Sequence, residues 1–407
     1  MLSTRLYPVV LGLLVAAPGP SARGEDWPHW LGPNRDGVST ETEWVDKGVG
    51  ELWSKNVGIG YSSVSVAGGR AYTQGHDEDT SLDTIWCFEA RTGEERWSHS
   101  FPSRVWDRSH GGGTLVTPSI DSDRLYTCNR EGKFLCLLVA DGGVIWSKDL
   151  HGEHELDHPS WGFASAPVVH ENVVYVNMGV VMAFDKTTGE RLWASADLGD
   201  AYATPALFAL GDTPSLAVFN GRGLSVLDRE DGSRRFTHDW ETRFDVNAAT
   251  PVMIGDGRCF ISSGYNHGCS MVKVSAEGAE VLWESKVMRN HMAGCTLVGE
   301  HLYGFDESTL KCIDLNGEEK WRKRGLGKGA HLVAGDKLIV LSADGHLIVV
   351  QASAGDYREL SNEKVLDGGR YWTPPTLAQG LIYCRNSDGD LSCRDHRTPE
   401  ARRASDH

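Results

Sequence analysis

The chain has no apolar run long enough to cross a bilayer, no adjacent cysteines and no excess of basic charge. Each absence removes a class of protein. The longest apolar stretch, VVLGLLVAA at Val9–Ala17, falls well short of the roughly 20 residues a spanning helix needs. Forty Lys and Arg stand against 56 Asp and Glu, a net charge of −16. That balance argues against a nucleic-acid partner, whose phosphates call for a basic patch. The nine cysteines form no C-x-x-C and no C-x-x-C-H, so neither a thiolate metal site nor a haem attachment is indicated. Helical periodicity is missing as well. HGGGT at His110–Thr114 follows no strand–helix pattern, which excludes a nucleotide-phosphate cradle.

What is present begins with a targeting signal. Arg5 precedes the apolar run, and Ala22 and Gly24 put small residues at the −3 and −1 positions of a cleavage site. Residues 1–24 are expected to be a signal peptide, with the mature protein periplasmic or extracellular. No cysteine follows the apolar run, which speaks against a lipid anchor.

The rest of the chain repeats. A strand-closing aromatic recurs at Trp53, Trp97, Trp146, Trp193, Phe236, Trp283, Trp321 and Tyr357. A β-rich period of about 40–50 residues is that of a propeller with one four-stranded blade per repeat. Seven units are complete. An eighth, at Tyr371–Asp395, has three strands, and its fourth is supplied by GELWSKN at Gly50–Asn56. The expected fold is all-β: an eight-bladed β-propeller of antiparallel blades over 50–395, closed by its N-terminal strand. Residues 25–49 then form an extension packing on the propeller over that closure, and 396–407 a polar, disordered tail. Cys87, Cys136, Cys312 and Cys393 occupy one place in the repeat and read as small buried strand residues. Cys384 and Cys393 flank RNSDGDLS. A two-residue Asp-Gly turn would set their sulfurs opposite each other, and an oxidising compartment permits a disulfide there.

The unit D-x-x-T-G-x-x-x-W resembles the tryptophan-docking repeat of quinoprotein-type, or PQQ-like, propellers, from Trp27 to Asp395. The segments WPHWLGPNRDG, TRFDVNAATP, SSGYNHGCS, MRNHMAGC, GLGKGAH and WTPP are similar to one exported family of that type. The Gly-His and Trp-Asp signatures of WD40 blades are absent. The resemblance implies one of two activities. One is a non-catalytic scaffold, as in outer-membrane assembly proteins of the BamB type. The other is a PQQ- and Ca²⁺-dependent oxidoreductase of alcohols or sugars, with an axial quinone and an aspartate base. Without adjacent cysteines, a haem motif or a capping insertion, the chain reads first as a binding or scaffold module. Its ligand would be a protein or small molecule, with glycan or peptide binding a third class.

In a propeller, the residues leading into each innermost strand meet around the central funnel. Repeat alignment places Tyr61, Thr114, Phe163, Tyr202, Asn247, His291, Lys328 and Trp372 there, with His110, Trp161, Asp245 and Asn290 just upstream. This set suits an anionic or aromatic ligand: Lys328 and the histidines for charge, the rings for stacking, the amides for orientation. Asp245 is the one candidate general base. His151, His154 and His158, interleaved with Glu153, Glu155 and Asp157 in HGEHELDH, are the candidate metal ligands.

Overall fold

A computed structural model describes residues 24–105 and 110–405. The signal segment, Gly24 excepted, lies outside the described residues. Eight four-stranded antiparallel blades follow one another around an axis, blade seven carrying a short fifth strand, Val38–Ser39, on its inner edge. Blades one to seven occupy 65–102, 119–149, 168–194, 206–239, 252–285, 296–323 and 330–364. Blade eight takes three strands from 376–395 and its fourth from Glu51–Asn56, paired with Asp390–Asp395. The chain is thus an eight-bladed, almost wholly β propeller with its first strand in its last blade. Closure leaves no open blade edge between the termini, the edge through which sheets aggregate.

The recurring tryptophan has a specific geometry. Trp97 lies opposite Cys87, Trp146 opposite Cys136, Trp321 opposite Cys312 and Trp53 opposite Cys393, each beside a break in register. The small cysteine leaves room for the indole. Each ring then crosses to the next blade. The Trp97 indole N–H donates to the Val139 carbonyl at 2.8 Å, that of Trp283 to Leu315 at 2.8 Å and that of Trp53 to Ala90 at 3.0 Å. The turn glycine beneath is obligatory twice over. Gly93 has φ of 68°, and a Cβ there would lie 2.6 Å from the Trp53 ring.

Blade seven departs from the repeat. Register places Ser361, not Tyr357, opposite Val349 beside the break. Tyr357 precedes the strand and packs on Trp321 instead, 5.7 Å between ring centres. Its assignment as a docking residue is therefore corrected. Ser361 donates its hydroxyl to the Asp46 carbonyl at 2.6 Å. The missing ring at the junction of blades seven and eight is replaced by Trp44 of the N-terminal extension, buried beside His396 with the Lys337 ammonium 5.0 Å from its ring.

The extension also reaches well beyond the closure. Trp27 pairs with Val66 of blade one, and Pro28 accepts from Ile120 of blade two. The Arg35 guanidinium donates to Val169 of blade three at 2.7 Å, and the Trp30 indole to Thr250 beside blade five at 3.3 Å. Val38–Ser39 then runs parallel to the inner strand of blade seven. The segment is a strap across the exit face of the inner strands. The tail expected to be disordered instead carries a helix at Pro399–Ser405, behind a buried His396 and Arg397.

The disulfide reading is corrected as well. Cys384 lies opposite Ser392 and Cys393 opposite Tyr383, so the two sulfurs belong to opposite faces of the sheet, and all nine cysteines are free thiols. The hairpin turn is longer than two residues, and the extra residues shift the register by one.

One buried imidazole makes the fold acid-sensitive. His331 in blade seven is held down at about 4, chiefly by burial, against a smaller upward pull from the Tyr303 backbone. Between pH 6.5 and about 4 the unfolded chain binds a proton that the native His331 refuses. Stability therefore falls as pH drops through that window, by about 1.4 kcal/mol per pH unit for this one group, and levels off below it. Urea titrations at pH 6.5 and 4.5 are expected to show a shallower loss for His331→Gln; an unchanged loss contradicts the assignment.

Candidate functional site

Five of the rim residues meet around a cavity of about 130 Å³ at the mouth of the axis: Tyr61, His110, Trp161, Tyr202 and Trp372. They come from the loops leading into blades one, two, three, four and eight. Each loop ends in small or proline residues that let the inner strands crowd the axis. The rings touch in sequence. Tyr61 stacks on Trp372 at 5.2 Å, Trp372 meets the His110 edge at 5.1 Å, His110 stacks on Trp161 at 5.9 Å, and Trp161 reaches Tyr202 at 5.8 Å.

Polar contacts fix this aromatic wall from behind. The Tyr61 hydroxyl and the Arg370 guanidinium both donate to the His110 carbonyl, at 2.7 and 2.8 Å. Thr114 is buried and bonded to the Gln74 carbonyl at 2.7 Å, and Phe163 is buried against His158. Both support the rim rather than line it. Burial, then Asp200, pushes the Tyr202 phenol upward, so it stays a neutral hydroxyl.

His291 and Lys328 lie on the other side of Trp372, in a smaller cleft. The His291 ring packs 4.3 Å from Tyr265. Burial first, then the Lys328 charge, holds it down at about 4, so it is neutral at physiological pH. Lys328 pairs with Glu307 at 3.4 Å.

Three expected site residues fall elsewhere. Asn247 is buried, donates to the carbonyls of Asn220 and Trp240, and accepts from Ser263. The cavity takes Val246 and Ala248 from the same stretch, so alternation turns Asn247 away from the axis. Asn290 is likewise saturated, by the Phe305 carbonyl and the Cys295 thiol. Asp245 is exposed, at φ of 54°, and does not line the cavity. Sequence alignment of the rim also missed Arg130, Tyr265 and Trp30, which do line it. Arg130 and Tyr265 sit in loops joining second and third strands, a second set that the repeat could have aligned. Trp30 comes from the strap and gave no signal.

The histidine cluster divides. His151 and His158 pack edge to face at 4.5 Å, whereas His154 lies against the Arg191 guanidinium at 2.8 Å. A cation beside a ligand nitrogen opposes metal binding. The funnel donors do not suit Ca²⁺ either, which takes six to eight oxygens, carboxylates foremost: Asp245 is outside the lining and the Asn247 amide is spent.

Fold and funnel together define a closed β-propeller with a preformed aromatic pocket and no metal cluster among the described residues. Residues 81–322, more than half of the chain, match the family described as outer membrane protein assembly factor BamB, and the chain belongs to that family. An outer membrane protein assembly factor BamB from Burkholderia pseudomallei is 25% identical over 374 residues, covering 84% of this chain and 87% of the relative. The crystal structure of BamB from Moraxella catarrhalis superposes with a TM-score of 0.60 at 16% identity, over 85% of this chain and 97% of that one. Quinohemoprotein alcohol dehydrogenase from Comamonas testosteroni gives 0.68 at 12% identity, over 91% and 80%. At those identities the two structures share the fold alone.

Proposed function

We propose that the chain is an exported binding module whose ligand site is the aromatic funnel, rather than an enzyme built on a quinone. The observation that carries this reading is the pocket of Tyr61, His110, Trp161, Tyr202 and Trp372. Their rings support one another, so little conformational entropy is lost when a ligand enters. Family membership supports the scaffold side of the reading, because the relatives are named as assembly factors. The periplasm or the extracellular space is the compartment that the N-terminal sequence implies. No helix among the described residues is long and apolar enough to cross a membrane.

Small aromatic ligands are expected to quench the intrinsic tryptophan fluorescence saturably. Trp161→Ala should weaken that binding at least tenfold, since a lost aromatic contact at a binding centre costs about 2 kcal/mol. Equal binding by Trp161→Ala would place the site elsewhere. The quinoprotein reading, supported only by the shared fold, requires saturable binding of PQQ at micromolar concentration in the presence of Ca²⁺.

A further inference from the structure

The axis of the propeller holds two chambers in series. The aromatic funnel, of about 130 Å³, lies at the entry face. A second cavity, of about 260 Å³, lies under the strap at the exit face. The same chain segments descend past both. Thr204 lines the first and Leu207 the second; Ala248 and Val252 divide in the same way, as do Met292 and Leu297. Among the described residues, Trp30 of the strap alone lines both.

The strap presents Trp30 to the axis from a fixed turn. Leu31 and Gly32 behind it have φ of 61° and 85°, and the Gly32 amide donates to the His29 carbonyl at 2.9 Å. The chain is bonded on either side, to blade two through Pro28 and to blade three through Arg35. The indole is partly exposed, packs on the core shared by blades two and three, and donates to the Thr250 hydroxyl at 3.3 Å. Thr250 belongs to the second chamber, two residues past Ala248 of the first. The indole therefore sits at the level where one chamber gives way to the other. Beyond it the blade-side wall is mostly apolar, with Leu207, Val252, Met253 and Leu297 foremost.

Building on the funnel reading above, we propose that Trp30 is the floor of the ligand site and its specificity-determining residue. The indole receives a flat ring from the entry face and denies an apolar tail on that ring passage into the second chamber. The ligand class is then an aromatic ring with no inward tail, its substituents pointing back out of the mouth. A Trp30 that only anchored the strap would alter the affinity of all rings alike. A floor alters the discrimination between them.

Calorimetric titration of the intact protein with phenol and with 4-butylphenol tests this. In the unsubstituted protein the butyl chain is expected to add about threefold or less to the affinity, because it stays in the mouth. Trp30→Ala joins the two chambers, and the ratio should rise by about tenfold or more as the chain buries its methylenes among apolar side chains. Trp30→Leu keeps an apolar anchor for the strap and should raise the ratio by a smaller factor, which covers a Trp30→Ala protein that does not fold. A ratio unchanged in the variants overturns the floor assignment and leaves the funnel reading standing. A ratio already near tenfold in the unsubstituted protein overturns it as well, since the tail then needs no opening. Binding of neither ring by the unsubstituted protein at millimolar concentration overturns the funnel reading, and this proposal with it.

Discussion

Trp53→Ala is expected to destabilise the whole propeller by about 3–5 kcal/mol, the ordinary loss for truncating a buried tryptophan. The size of the effect follows from position. Trp53 sits on the strand that the N-terminus lends to blade eight, and its ring covers the turn glycine of blade one while its indole bonds Ala90. One substitution therefore loosens both the pairing across the termini and the docking of the next blade. Its neighbour Leu52 is 40% exposed, and Leu52→Ala should stay within about 0.5 kcal/mol of the unsubstituted protein. Urea denaturation of the pair checks the claim. Equal midpoints for Trp53→Ala and Leu52→Ala would mean that closure does not hold the ring.

Arg385→Met is the second large effect, expected at about 3 kcal/mol or more. Arg385, 2% exposed, reaches from blade eight into the backbone of blade one. Its Nη1 donates to the Ser62 and Gln74 carbonyls at 2.7 and 2.8 Å and to the Thr73 hydroxyl at 2.9 Å; Nη2 donates to the Gly58 carbonyl at 3.0 Å. Burial pulls the guanidinium down to about 9, still charged at neutral pH. Methionine fills the volume but removes the charged donor from three carbonyls, of which those of Ser62 and Gln74 keep a threonine hydroxyl; each lost bond to a charged group is worth about 1.5–3 kcal/mol. Relief of the buried charge offsets part of that. Because Trp53 and Arg385 serve the same junction, their effects should not add. Thermal melts of the single and double variants measure the coupling. A neutral Arg385→Met would show that its bonds merely break even with desolvation.

Much of the architecture is legible in the sequence because a propeller writes itself as a period. The tryptophans, the turn Thr-Gly and the small residues at each inner strand recur, and the incomplete last unit finds its fourth strand in GELWSKN. Where the period fails, so does the reading. Tyr357 lies near the right spacing, yet the break in register that marks the docking position selects Ser361. The aromatic that fills that junction, Trp44, belongs to a segment outside the repeat. The strap itself has no internal period, so nothing in its residues revealed that Trp30 would reach the cavity.

The funnel follows the same logic. Tyr61, Tyr202 and Trp372 stand at equivalent places in their loops, His110 and Trp161 a few residues upstream of that place in theirs, and geometry brings all five together. Asn247 and Asn290 stand at similar places but feed local backbone groups, because strand alternation turns one residue in two away from the axis. Arg130 belongs to the second set of loops, where only three-dimensional closure shows that it faces the same space. The docking tryptophans, the loudest signal in the sequence, hold the ring shut and touch no ligand site.

The claim that binding resides in the funnel is tested most directly by titrating a small aromatic ligand that quenches the tryptophan fluorescence into the unsubstituted protein and Trp372→Ala side by side, with the melting temperature of each recorded. Trp372 is shared by the two clefts and contacts Tyr61, His110 and His291. The expected result is saturable binding that is lost in Trp372→Ala while its melting temperature falls far less than that of Trp53→Ala. Saturable binding that Trp372→Ala leaves intact would contradict it.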